Sequence, residues 1–329
     1  MGKIRFGLAL SNRLPVINPK IDMKQSLLEL GVNAERSGVF DSLWVGDNIL
    51  TKPRADPISI LSGLAALTSK VKLGVACMAT LGLRNPIFLA QQWATLDRLS
   101  NGRTIMVACM GGSDGQISGS QEFKTFGHKL NERVAMMNEG IEILRKLFSE
   151  QEVSYHGRFH VLDKVTVEPK PVQQPLPIWI AGYPQDPEIE ERALRRIARL
   201  ADGWLVNVIS PEKLSSLWNK IQLYSTEYGR PMRDNMLFYH ICIDEDQERA
   251  EKEVSAYGSA YYSPSFIDKM KKNESLDLWA SFGRADDCIK GIEKFVNAGA
   301  NSILVRFATL EETQRQLEIF VKEVAPSFL

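Results

Sequence analysis

The stretch Gly38-Val39-Phe40-Asp41-Ser42-Leu43-Trp44-Val45-Gly46-Asp47 leaves a glycine, passes through a compact apolar run and turns abruptly polar at Asp47 and Asn48. Within it, residues 42–45 predict a strand. Its apolar residues are contiguous rather than alternating, as expected where helices cover both faces of a parallel strand. The neighbours agree. Residues 23–37 place Leu27, Leu28, Leu30 and Val32 on one side of a helix, and Pro57 opens another helix that runs to Leu67, its fixed φ suiting a first turn.

Working outward, the same alternation continues to both ends. Further strands are predicted over residues 4–10, 71–77, 103–109, 177–182, 203–208, 237–243 and 302–307. Helices are predicted over 86–99, 131–149 and 187–200, with others starting at Pro211, Asp246, Ala285 and Leu310. Residues 152–167 read as a hairpin turning near His156-Gly157. Eight strands separated by helices imply either an open doubly wound sheet or a closed barrel, and this count over this length favours a (β/α)8 TIM barrel. The expectation is one domain spanning residues 1–329, with insertions at the C-terminal face of the strands. The irregular stretches 110–130 and 261–282 are the expected lids, because loops on that face build the site in such a barrel.

The 40 basic and 40 acidic residues cancel, so the chain has no electrostatic footprint for nucleic acid and no polybasic segment for a membrane surface. A small organic molecule and other protein subunits are the expected partners. No apolar stretch approaches the ~18 residues of a membrane helix, and residues 1–10 lack the apolar core of a signal peptide, so a cytoplasmic protein is expected. The cysteines, Cys77, Cys109, Cys242 and Cys288, lie far apart, and free thiols in a reducing compartment are expected. Leu64, Leu67, Phe88 and Trp93, on helical segments 59–67 and 88–99, exceed the needs of one core face and point to a homodimer.

Several chemistries are set aside. His128, His156, His160 and His240 lack the spacing of a zinc helix, so no metal is expected, and the two flanking the hairpin turn are expected to face solvent. There is no GxSxG elbow, no GxxxxGK[ST] loop and no GxGxxG after the first strand. Arg133 is expected to pair with Glu132 or Glu139 on its own helix. Few acid–base groups stand at the strand ends, which points to a cofactor carrying the hard chemistry.

The chain resembles the bacterial luciferase-like family of flavin-dependent oxidoreductases. The resemblance rests on the stretch 38–47 and on Ala94-Thr95-Leu96-Asp97-Arg98-Leu99-Ser100-Asn101-Gly102-Arg103. It rests also on Pro169-Lys170-Pro171-Val172-Gln173-Gln174-Pro175 leading into Pro177-Ile178-Trp179-Ile180, and on Ala198-Arg199-Leu200-Ala201-Asp202-Gly203-Trp204. It implies FMN, or the deazaflavin coenzyme F420, at the C-terminal mouth of the barrel. Trp44, Cys77, Met78, Thr80, Met110, Gly111, Ala181, Gly182 and Tyr183 would hold the cofactor, the last three through backbone amides at its phosphate. A bulge with a non-proline cis peptide would fall at Cys77-Met78 or Met78-Ala79. Asn48 stands where many relatives carry a histidine, so it cannot serve as a general base, and Asp47 becomes the nearest substitute. The leading functional expectation is an FMN-dependent monooxygenase supplied with reduced flavin by a separate reductase. Deazaflavin-dependent hydride transfer and a non-catalytic flavin-binding protein are the alternatives.

Overall fold

The computed structural model describes residues 4–111 and 117–329. Eight parallel strands close into a barrel: β1 (Arg5–Ala9), β2 (Phe40–Asp47), β3 (Lys72–Met78), β4 (Thr104–Ala108), β7 (Ile178–Ala181), β8 (Gly203–Asn207), β9 (Asp234–Ile243) and β11 (Ser302–Phe307). Closure is explicit at both seams, where β11 pairs with β1 (Arg5↔Ser302) and β8 pairs with β9 (Gly203↔Asp234). The remaining strands are additions. β5 (Val153–His156) and β6 (Val161–Val165) form the expected hairpin, and β10 (Ala280–Gly283) lies parallel to the outer half of β9.

Helix starts follow local chemistry. Asp56, Asn85, Asp186 and Ser210 each accept a hydrogen bond from an amide in the first turn, and a proline follows each of them. The segment 261–282 is not the irregular loop expected from its sequence. It folds into short helices Phe266–Lys272 and Leu276–Trp279 and then β10, because its aromatic residues have a buried partner surface around His240.

Alternate residues of the strands face inward, and there Trp44, Trp179, Ile105, Val107, Met236 and Leu304 fill the barrel. The ring centroids of Trp44 and Trp179 are 6.1 Å apart. Any Cβ at Gly74 would overlap the Trp44 ring, and one at Gly203 would overlap that of Trp179, so these glycines admit the two indoles. The plug occupies the lower barrel. Above it the side chains shrink to Ala76, Cys77 and Ala181, and space opens.

Two sequence expectations are corrected here. Cys77 and Cys109 are not free thiols: they form a disulfide, with Cα atoms 5.9 Å apart, and only Cys242 and Cys288 are free. Spacing along the chain (32 residues) hid the proximity that two neighbouring strands create. Leu64 and Trp93 are fully buried core residues, whereas Leu67 and Phe88 are exposed. Among the described residues no helix is long and apolar enough to cross a membrane.

Candidate active site

The mouth of the barrel holds a cavity of about 700 Å³ above the tryptophan plug, a size typical of small-molecule sites. Its floor comes from β3 and β4, where the register shifts between Val75 and Met78 and the Ala76-Cys77 peptide is cis. The expected bulge is therefore present, and the cis bond sits one residue earlier than the sequence suggested. Cys77, Cys109, Met110 and Gly111 line this floor. Gly111 has φ +63, and a Cβ there would strike the Ala79 carbonyl oxygen at 2.5 Å, so glycine is required at this turn.

Of the residues expected to hold a cofactor, Cys77, Met110, Gly111, Ala181, Gly182 and Tyr183 do line the mouth. Trp44, Met78 and Thr80 do not. Trp44 points into the plug, Met78 is buried in the core, and Thr80 is buried against Asp47. The alternation of side chains along a strand decides which residues reach the opening.

Asp47 and Asn48 also line the cavity, but Asp47 is committed elsewhere. Its Oδ2 accepts from the Thr80 amide (2.9 Å) and hydroxyl (2.6 Å), and its Oδ1 from Arg84 Nη2 (3.0 Å). With 2% exposure and both oxygens engaged, it clamps the end of β2 to the segment after β3. It is a positioning residue rather than a free base. Asn48 Oδ1 accepts from Arg54 Nε at 3.4 Å.

Sequence reasoning missed a second wall. His240, buried in β9, is joined to Tyr262 through Nε2 and the phenol oxygen at 3.0 Å, and Tyr262 lines the cavity. Burial and, after it, the charge of Arg306 hold the His240 pKa well below its ordinary value, so the ring is neutral. Arg306, only 2% exposed, has its guanidinium carbon 4.6 Å from the centroid of Phe238 and 5.1 Å from that of Tyr261. It makes no ion pair among the described residues. Arg54 donates to the Tyr261 hydroxyl. Burial opposes ionisation of Tyr261, yet Arg306, Arg54 and Arg13 together lower its pKa below the ordinary phenol value.

A side chamber of about 590 Å³ continues from the mouth, sharing Met110, Ala181, Gly182 and Tyr183 with it. Arg133, Arg192 and Arg196 line it, and none has a carboxylate partner among the described residues. The Nε atoms of Arg133 and Arg196 are buried without any hydrogen-bond partner. Glu132 and Glu139 do not pair with Arg133, as the sequence had suggested. Glu132 binds Arg158, and Glu139 holds the hairpin turn through the amides of residues 158–160 and the ring of His160. His160 is thus anchored rather than simply solvated. The phosphate cradle also changes: the Gly182 amide donates to the Leu205 carbonyl at 2.8 Å and is not available to a ligand. The orphaned guanidinium atoms beside it are the groups fitted to an anion.

A sheltered floor, an adjoining cationic chamber and few free acid–base groups suit a ring cofactor with an anionic tail. The family model of the luciferase-like monooxygenases matches residues 4–302 of this chain. The chain belongs to the luciferase-like monooxygenase family. A curated relative, the F420-dependent glucose-6-phosphate dehydrogenase of Segniliparus rotundus, is 26% identical, with 92% of this chain and 93% of that protein covered. The 5,10-methylenetetrahydromethanopterin reductase of Archaeoglobus fulgidus is 22% identical over 93% of this chain and 96% of its own length. Among solved structures, the monooxygenase RslO1 from Streptomyces bottropensis superposes with a TM-score of 0.79 at 20% identity, covering 99% of this chain and all of that one. That likeness concerns the fold. As a member of the luciferase-like family the protein is an oxidoreductase that works with a flavin or deazaflavin, which sets aside the non-catalytic alternative.

Proposed function

We propose that the protein binds a deazaflavin coenzyme of the F420 type and transfers hydride between it and a small organic substrate. The observation that carries this reading is the side chamber. FMN ends at one phosphate, whereas the deazaflavin coenzyme carries further carboxylates beyond its phosphate, and a chamber whose Arg133, Arg192 and Arg196 have no carboxylate partner among the described residues offers each a charge-assisted partner. The F420-dependent enzymes among the relatives point the same way.

In this reading Cys77, Cys109 and Gly111 would hold the ring, and Arg133, Arg192 and Arg196, in the chamber beyond Gly182, would hold its anionic tail. When bound, the coenzyme supplies a two-electron hydride acceptor or donor. The protein excludes water, orients both reactants and moves a proton. The Tyr262 hydroxyl, backed by neutral His240, is the group placed to exchange that proton with substrate. The Glu122 carboxylate accepts from the amides of Ile49 (3.2 Å) and Leu50 (2.9 Å), so helix Ile117–Thr125 is pinned beside the mouth. This cover also supports the second reading, an FMN-dependent monooxygenase fed by a separate reductase, because exclusion of water protects reactive oxygen intermediates.

Parallel equilibrium titrations with the deazaflavin coenzyme and with FMN decide between them. The expected result is tighter binding of the deazaflavin and anaerobic turnover. Arg196→Glu should cost about 1.5–3 kcal/mol, tenfold or more in affinity, for the deazaflavin and much less for FMN. Tighter FMN binding with oxygen-dependent product would overturn the proposal.

A further inference from the structure

The four cysteines divide into two kinds. Cys242 and Cys288 are sealed in the core (2% and 0% exposed), where burial pushes both thiols up to about 12 and makes them inert. Cys77 and Cys109 are joined to each other, and the link lies in the cavity floor: both residues are partly exposed and both line the mouth. The strands that carry them are already laced by a ladder from Leu73↔Thr104 to Met78↔Ala108. The bond therefore faces the cavity in which a ring would lie, which Arg54 and Arg306 also line. A disulfide accessible to a reductant belongs to the labile or catalytic class.

We propose that Cys77–Cys109 is a redox centre of this enzyme, opened to a dithiol by the reduced ring in the mouth. It rests on the cofactor reading above. The step balances with the reduced coenzyme as donor. A hydride passes from the ring to one sulfur, an S–H bond forms, the S–S bond breaks, and the other sulfur leaves with the bonding pair as thiolate. That thiolate takes a proton from solvent. The ring is oxidised by two electrons and the disulfide reduced by two. The floor under the ring thereby has two covalent states, a disulfide and a dithiol.

The test uses the full chain purified without reductant and mixed anaerobically with reduced deazaflavin coenzyme, with reduced FMN in parallel. Binding is read by fluorescence and ring oxidation by visible absorbance. Thiols are counted by alkylation and peptide mass spectrometry at Cys77 and Cys109. The expected result is stoichiometric ring oxidation with both cysteines becoming alkylated, while Cys242 and Cys288 stay protected. Cys109→Ser, compared at ring concentrations that saturate it, should leave the bound ring reduced. Binding with the disulfide intact and the ring still reduced overturns the inference alone, as does finding both cysteines alkylatable before any reductant is added. Failure of either ring to bind removes the cofactor reading and this inference together.

Discussion

His240 is where a single side chain couples stability to function. With its ring centroid 4.4 Å from that of Trp279 and shielded from water, it stays neutral when folded, whereas the unfolded chain protonates it near the ordinary value of 6.5. The unfolded state then binds more protons, so stability falls as pH drops below about 6.5, by at most about 1.4 kcal/mol per unit. His240→Phe should flatten that acid limb in denaturant melts at several pH values; an unchanged slope would place the titration elsewhere. Tyr262→Phe tests the catalytic side of the pair. Loss of a proton-transferring group typically costs about 10²–10⁴ in rate, so kcat should fall steeply while KM and coenzyme affinity hold. A purely structural tyrosine would instead move affinity and melting temperature. None of this was legible at the residue level, since a histidine in a strand and a tyrosine 22 residues later become neighbours only when helix Gln247–Tyr261 folds back.

At the scale of elements, the sequence spoke clearly wherever local physics decides. Contiguous apolar runs marked the barrel strands, and prolines marked helix starts. The stretches that carry the family resemblance turn out to be chiefly braces at the lower face. Asp97, fully buried, accepts from the Thr104 hydroxyl, the Gln173 side chain and the amides of Val172 and Gln173, tying the loop before β7 to the foot of β4. Arg103 donates to the carbonyls of Ala65, Thr68, Val71 and Ser100. Asp97→Ala should strip those donors of their partner inside the protein and cost about 3 kcal/mol or more in denaturant unfolding, without altering coenzyme specificity. Motifs at the bottom of a barrel report on stability, and the chemistry sits at the other end. That is why the resemblance located the fold well and the site only in part. One signal was overlooked: Cys77 and Cys109 each end a predicted strand, and adjacent strand ends in a barrel are neighbours.

For the whole molecule, closure of the barrel leaves the outer helices with one face on the strands and one in water. Most outer faces are charged, but helices Pro57–Leu67 and Pro86–Leu99 expose Leu67 (53%), Phe88 (68%) and Leu99 (61%). The two helices pack side by side, so these groups share one side of the barrel. We propose that two copies pair across this side. Isologous pairing places each substitution in the interface twice, which amplifies its effect. Phe88→Glu with Leu99→Lys should therefore convert the protein to a monomer in light scattering at micromolar concentration, with coenzyme affinity retained because the mouth opens at the end of the barrel rather than its side. A wild-type protein that already scatters as a monomer would leave these side chains without a partner and defeat the proposal.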